Sequence, residues 1–191
     1  MLRAYKYRIY PTDEQKVLFA KTFGCCRFVY NWALNLKIEA YKQEKKSIGN
    51  VELTNRMKSE LKAEHEWLSE VNSQSLQSAL RNLDSAYTNF FRNTKTVGFP
   101  RFKSRRDRQS FLCPQHCRVD FEKGTITIPK AKDISAVPHR KFKGMVKTVT
   151  ISMTPSGKYF ASVLVDTTIQ ELPASAIQLS LIHISEPTRP Y

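Results

Sequence analysis

Arg101, Phe102, Lys103, Arg105 and Arg106 fall inside a stretch from Gly98 to Phe111 that alternates cations with aromatic rings. Residues of these types suit one chemistry. Guanidinium and ammonium groups neutralise phosphates and release their counterions, and a phenylalanine ring offers a face to a base or a ribose. Gly98 and Pro100 break the helical pattern before them, so the cations are expected on a loop. A second cluster, His139, Arg140, Lys141, Phe142 and Lys143, repeats the combination between two strand-like stretches.

The whole chain leans the same way. Its 31 Lys plus Arg outweigh 17 Asp plus Glu, for a formal net charge of +14 and a pI near 9.8, the footprint of a polyanion binder. No run approaches the roughly 18 apolar residues of a spanning helix, and Met1-Leu2-Arg3-Ala4-Tyr5-Lys6 lacks the apolar core of a signal peptide. The expectation is therefore no membrane partner and a cytoplasmic location. Four cysteines in 191 residues, two of them adjacent as Cys25-Cys26, do not make a disulfide framework.

Other residue types bear on catalysis and metal binding. Phosphodiester cleavage with two metals needs carboxylates converging on ions about 4 Å apart, and no spaced acidic set supplies that. Asp166, ending Val163-Leu164-Val165, imitates a strand-end ligand and is read as structural. Cys113, His116 and Cys117 offer three soft ligands close together, yet without the paired CxxC motifs of a zinc ribbon. No catalytic and no metal-ligating residue is assigned. Cys25 and Cys26 are read as packing.

The elements that must position the cations follow from periodicity. Residues 2–10 alternate as a half-buried strand, with Arg3, Tyr5, Tyr7 and Ile9 on one side. Thr12-Asp13-Glu14-Gln15 is a capping box, Gly24 is expected to close the helix it starts, and Phe28, Trp32, Leu36 and Ala40 stripe a second helix, giving a hairpin. Thr54 is expected to cap a third helix carrying Met57 and Leu61. Leu76, Leu80, Leu83, Tyr87 and Phe90 stripe a fourth. After the basic loop the period becomes two: residues 118–121 and 125–128 flank Gly124, and residues 147–153 and 159–165 flank the turn Thr154-Pro155-Ser156-Gly157. A lone strand, helices, then several strands predict an α+β fold: a split β-barrel with an inserted helical bundle, its first strand pairing with the last hairpin.

Taken in order, these motifs resemble a known family. Tyr7-Arg8-Ile9-Tyr10-Pro11-Thr12, Arg27-Phe28-Val29-Tyr30-Asn31, Trp67-Leu68, Leu83-Asp84-Ser85-Ala86-Tyr87-Thr88-Asn89-Phe90-Phe91, Gly98-Phe99-Pro100-Arg101-Phe102-Lys103 and Gly157-Lys158-Tyr159-Phe160-Ala161-Ser162-Val163 resemble the N-terminal half of TnpB, the OrfB protein of bacterial insertion sequences. The resemblance covers about residues 1–177. It implies an RNA-guided DNA endonuclease of a bacterium or archaeon, in which an OB-like barrel, the wedge domain, is split by a helical recognition insertion. Guide RNA and target DNA would be the partners, and a RuvC-like domain with Mg²⁺, together with a zinc ribbon, would follow. Those metals and that domain are expected to be absent from this chain.

The implied organisation is a first wedge strand (1–10), a helix-turn-helix-like insertion (11–97), the basic loop and remaining wedge strands (98–170), and a linker (171–178). Residues 179–191 are read as translated sequencing adapter, so that the frame is cut off before its catalytic half. The resemblance makes both cation clusters RNA-backbone contacts. It places Gln77 where the family reads the motif next to the target, and an amide can contact adenine bidentately; Ser73 and Asn50 occupy comparable polar positions but differ from the family pattern, so the preferred motif does not carry over. Arg27, Tyr30 and Asn31 fit equally a packing role and a nucleic-acid face. A free-standing helix-turn-helix DNA-binding regulator is the competing function. It would not need the β-region.

Overall fold

The computed structural model describes residues 1–167; the expected linker (171–178) and adapter-like tail (179–191) lie outside the described residues. β1 (Leu2–Tyr10) forms where the alternation places it, with Tyr7 and Ile9 turned into the core. The capping box follows. Thr12 Oγ1 accepts from the Gln15 N–H at 3.4 Å, and Gln15 Oε1 accepts from the Thr12 N–H at 3.0 Å, a cap worth about 1 kcal/mol against alanine.

The helix started there does not stop at Gly24. α1 runs unbroken over Asp13–Glu44, so the expected hairpin is one long helix. A glycine in a helix interior costs about 1 kcal/mol against alanine. Burial of Phe23, Cys25, Cys26 and Val29 around it outweighs that cost, at about 25 cal/mol for each Å² of apolar surface removed from water. The stop comes at Lys45, whose φ of 53° is left-handed. Thr54 is likewise not a cap. It lies inside α2 (Asn50–Arg56), and its hydroxyl donates back to the Asn50 carbonyl at 2.8 Å. α2 continues through a π-turn (Met57–Leu61) into α3 (Lys62–Glu64), burying Met57 and Leu61 as their spacing predicts.

α4 (Ser73–Arg92) is capped by Asn72, which accepts from the Gln74 N–H at 3.2 Å, and its Leu76, Leu80 and Leu83 are fully buried. Each such leucine contributes about 2 kcal/mol of transfer free energy. The strands that follow are β2 (Gln109–Cys113), β3 (Arg118–Asp120), β4 (Thr125–Ile128), β5 (Ala131–Val137), β6 (Met145–Met153) and β7 (Tyr159–Asp166). They join β1 in one antiparallel sheet of order β2-β6-β7-β1-β5-β4-β3. β1 lies against β7 from Leu2 opposite Asp166 to Ile9 opposite Tyr159, the long-range pairing the sequence predicts.

The expected closed barrel is not formed: the sheet is open, with β2 and β3 as its edges. Yet those edges are neighbours in sequence, joined only by residues 114–117. Five Cα steps reach about 18 Å at most, whereas seven flat strands would hold the edges about 29 Å apart. The sheet must therefore curl. β3 is short, Pro114 has no N–H to give, and His116 sits at a left-handed φ of 57°, so the link turns the chain away before a closing ladder can form. α1 packs on this curled sheet through Phe19, 5.7 Å from Phe111 and 5.9 Å from Tyr159, and Phe23, 5.3 Å from Phe111.

Candidate nucleic-acid interface

The basic loop is pinned at both ends. At its start the Phe99 ring meets Tyr87 and Phe90 edge-on, each at 5.5 Å. At its centre Asn31 of α1 grips the backbone of Lys103 twice, donating from Nδ2 to the carbonyl at 2.9 Å and accepting the N–H on Oδ1 at 2.8 Å. The Lys103 ammonium lies 4.0 Å from the centre of the Tyr30 ring. Although much of the Lys103 side chain remains open to water, burial at this ring pulls its pKa below the ordinary lysine value. Burial pushes the Tyr30 phenol up.

Gln109 closes the loop. Its Oε1 accepts from Arg27 Nη1 at 3.0 Å, while its Nε2 donates to the Arg105 and Asp107 carbonyls at 2.9 and 2.7 Å. Arg27, Tyr30 and Asn31 thus hold the loop against α1. The loop then presents Arg101, Phe102, Arg105 and Arg106 outward, and no carboxylate pairs with these arginines among the described residues. Unpaired guanidiniums on an ordered backbone can take phosphate oxygens without first giving up a partner.

The second cluster is tied to β1. The Tyr7 hydroxyl donates to the Arg140 carbonyl at 2.6 Å, and its ring meets His139 edge-on at 5.7 Å. Phe142 turns inward onto Tyr5 and Phe121, at 5.1 and 4.9 Å, so it serves packing and not display. His139, Arg140 and Lys141 are exposed. With Arg3 and Lys6, His139 and Arg140 rim a polar groove of about 550 Å³ over Tyr5 and Tyr7. Sequence reasoning missed Arg3 and Lys6; the signal for Arg3 was there, since Arg3, Tyr5 and Tyr7 share one side of the strand, whereas Lys6 lies on the other side with its ammonium 4.6 Å from the centre of the Phe160 ring.

Burial pushes the Tyr7 phenol from 10.0 up to about 12. Between those values the unfolded chain has released a proton that the native state keeps, so this contribution to stability is full below pH 10 and lost as pH rises through about 12. Tyr7→Phe should lower stability at neutral pH by about 1 kcal/mol, through the lost hydrogen bond. It should also flatten the alkaline decline. Urea melts of both proteins across that pH range check it, and an unchanged alkaline slope in the variant would refute the assignment.

Ser73 and Gln77 stand apart from the loop. Ser73 Oγ accepts from Lys62 Nζ at 2.8 Å. The loop faces Ser75, Ser78, Ala79 and Asn82 across a small cavity. At about 3.6 residues per turn, Ser73 and Gln77 lie on the opposite flank of α4. Asp166 sits between the N-terminal amine at 3.4 Å and Lys147 Nζ at 3.6 Å, a clasp at the end of the β1–β7 ladder. No three residues of metal-binding type converge among the described residues. Cys113 Sγ lies 3.7 Å from Ser75 Oγ, and the Cys117 thiol donates to the Cys113 carbonyl at 3.5 Å. Burial holds the Cys26 thiol up at about 12, far from thiolate reactivity.

The fold thus sets a strand, a long capped helix and a pinned cationic loop side by side, with exposed cations of the kind that can take phosphates. Residues 1–46 match a family described as a helix-turn-helix domain, that of the OrfB proteins. A protein of Streptomyces pristinaespiralis whose name describes an RNA-guided DNA endonuclease is 35% identical over 183 residues, which is 94% of this chain and 45% of that protein. InsQ of Escherichia coli K12, with a name of the same kind, is 35% identical over 163 residues, 85% of this chain and 40% of its own length. The virulence protein VsdF of Salmonella dublin is 36% identical over 121 residues, covering 56% of this chain and 98% of itself. The chain belongs to the TnpB (OrfB) family. It spans less than half the length of the first two relatives, and among the described residues no helix is long and apolar enough to cross a membrane.

Proposed function

We propose that this chain is the guide-RNA-binding and target-DNA-recognition part of a TnpB-like RNA-guided DNA endonuclease. The curled sheet is the wedge-type, OB-like unit, split after β1 by the helices, and the helices are the recognition insertion. Arg101, Phe102, Lys103, Arg105 and Arg106, with His139, Arg140 and Lys141, take the RNA backbone. Ser73 and Gln77, on the other flank of α4, face the target DNA. In this reading the described residues hold no Mg²⁺ or Zn²⁺.

The observation that carries the proposal is the loop itself. Asn31, Gln109 and Phe99 hold its backbone in place, so three exposed arginines, without carboxylate partners among the described residues, are presented with little backbone ordering left to do on binding. The competing regulator reading, a helix-turn-helix built on residues 12–40, leaves the strands after α4 without a role. Structured RNA should bind more tightly than duplex DNA of equal length, with affinity falling steeply as salt rises. Fluorescence anisotropy over a salt series measures both. Equal affinity for the two, or preference for the duplex, would overturn the RNA-binding role.

A further inference from the structure

Between the C-terminal parts of α1 and α4 runs a largely apolar groove of about 480 Å³ that the basic-loop reading does not use. Its rings are unusually open: Tyr41 is 60%, Phe91 70% and Phe99 46% exposed. Phe91 and Phe99 are also packed on other rings. Phe91 lies 5.2 Å from Phe90 and stacks at 6.2 Å on Tyr87, and Phe90 and Tyr87 are the rings that grip Phe99. Lys42 and Lys46 line the same groove, and among the described residues neither is in an ion pair. Among the described residues no carboxylate lines it.

Exposed rings, ammonium groups without an ion pair and no lining acid among the described residues select the occupant, with the Lys45 ammonium already 5.0 Å from the centre of the Tyr41 ring. An apolar helix would cover the rings and strand the two ammoniums without counter-charge. An inorganic anion would use the ammoniums and ignore the rings. A double helix keeps its bases stacked away. An unpaired strand supplies flat bases for the rings and phosphates for the lysines at once. The groove also shares Phe99 with the start of the basic loop, so one strand can run from Arg101 onto these rings.

We infer that this groove binds the bases of an unpaired stretch of nucleic acid, with Tyr41, Phe91 and Phe99 as stacking surfaces and Lys42 and Lys46 at phosphates. The inference rests on the reading that the chain binds nucleic acid.

The full chain is titrated with single-stranded oligothymidylate carrying a fluorescent base analogue, with the matching oligouridylate, and with a duplex of the same length. Tyr41→Ala combined with Phe91→Ala should weaken both single strands by about tenfold, abolish quenching of the analogue, and leave duplex affinity and salt slope unchanged. Lys42→Glu with Lys46→Glu should weaken the single strands and reduce the salt slope by roughly two. If the ring variant binds and quenches like the parent while loop variants still lose RNA, the groove assignment is wrong and the proposed function stands. If the parent binds no nucleic acid, both fall. A ring variant that changes sedimentation and not binding would make the groove a contact between copies, and overturn the assignment too. Both rings are mostly exposed; should their removal lower the melting temperature, the lysine pair, which touches no core, decides.

Discussion

Reversing charge at Arg101, Lys103, Arg105 and Arg106 together is expected to lower RNA affinity by about a thousandfold near physiological salt and to cut the salt slope by roughly three to four. The estimate follows from the geometry. Arg101, Arg105 and Arg106 are exposed, without carboxylate partners among the described residues, so each contact they make with a phosphate releases a counterion. Lys103 differs, because its ammonium rests on Tyr30 while Asn31 holds its backbone; a glutamate there places a carboxylate against the ring's negative face. Asn31→Ala separates position from charge. It leaves every cation in place and frees the loop, so affinity should drop by about tenfold through the ordering cost while the slope stays as it was. Anisotropy titrations at several salt concentrations check both variants. A charge-reversed protein with the parent's slope would mean that these cations never touch phosphate.

The sequence carried the signals that act over short range. The capping box at Thr12, the burial of Tyr7 and Ile9 and the stripe of Leu76, Leu80 and Leu83 each depend on residues within a turn or two, and each is found in place. What escaped depends on distant partners. Gly24 reads as a stop until the sheet and α4 are known to bury both sides of it. β5 hides because Lys130 and Asp133 take left-handed φ of 67° and 51° and its pairing with β4 shifts register, which spoils the alternation. β2 shows its period only once its edge is laid on β6. The site was half legible for the same reason. Cation and aromatic types marked the loop, but the Asn31 clamp joins residues 72 positions apart, and nothing local announces it. Arg27, Tyr30 and Asn31 were therefore legible as important without their role being legible.

The second large effect is on stability, at Gly144. This residue enters β6 at a φ of +141°, and a Cβ built on it would stand 2.2 Å from the Asp166 carbonyl oxygen and 3.0 Å from the Thr167 Cα. Both neighbours are backbone, and both belong to the end of β7 that the N-terminal amine, Lys147 and the Thr167 hydrogen bonds to Met1 already fix. Nothing there can swing aside. Gly144→Ala should therefore cost about 4 kcal/mol or more, in the range reserved for backbone clashes and strain. A domain of this size would lose roughly 10 °C of melting temperature. Gly24→Ala is the control, since its Cβ meets nothing within 4 Å and its backbone is helical; it should stabilise by about 0.5–1 kcal/mol. Urea and thermal melts of the two variants against the parent read the contrast. A Gly144→Ala protein as stable as the parent would show that β6 and β7 do not meet as described, and with that the curled sheet carrying the His139 cluster would have to be redrawn.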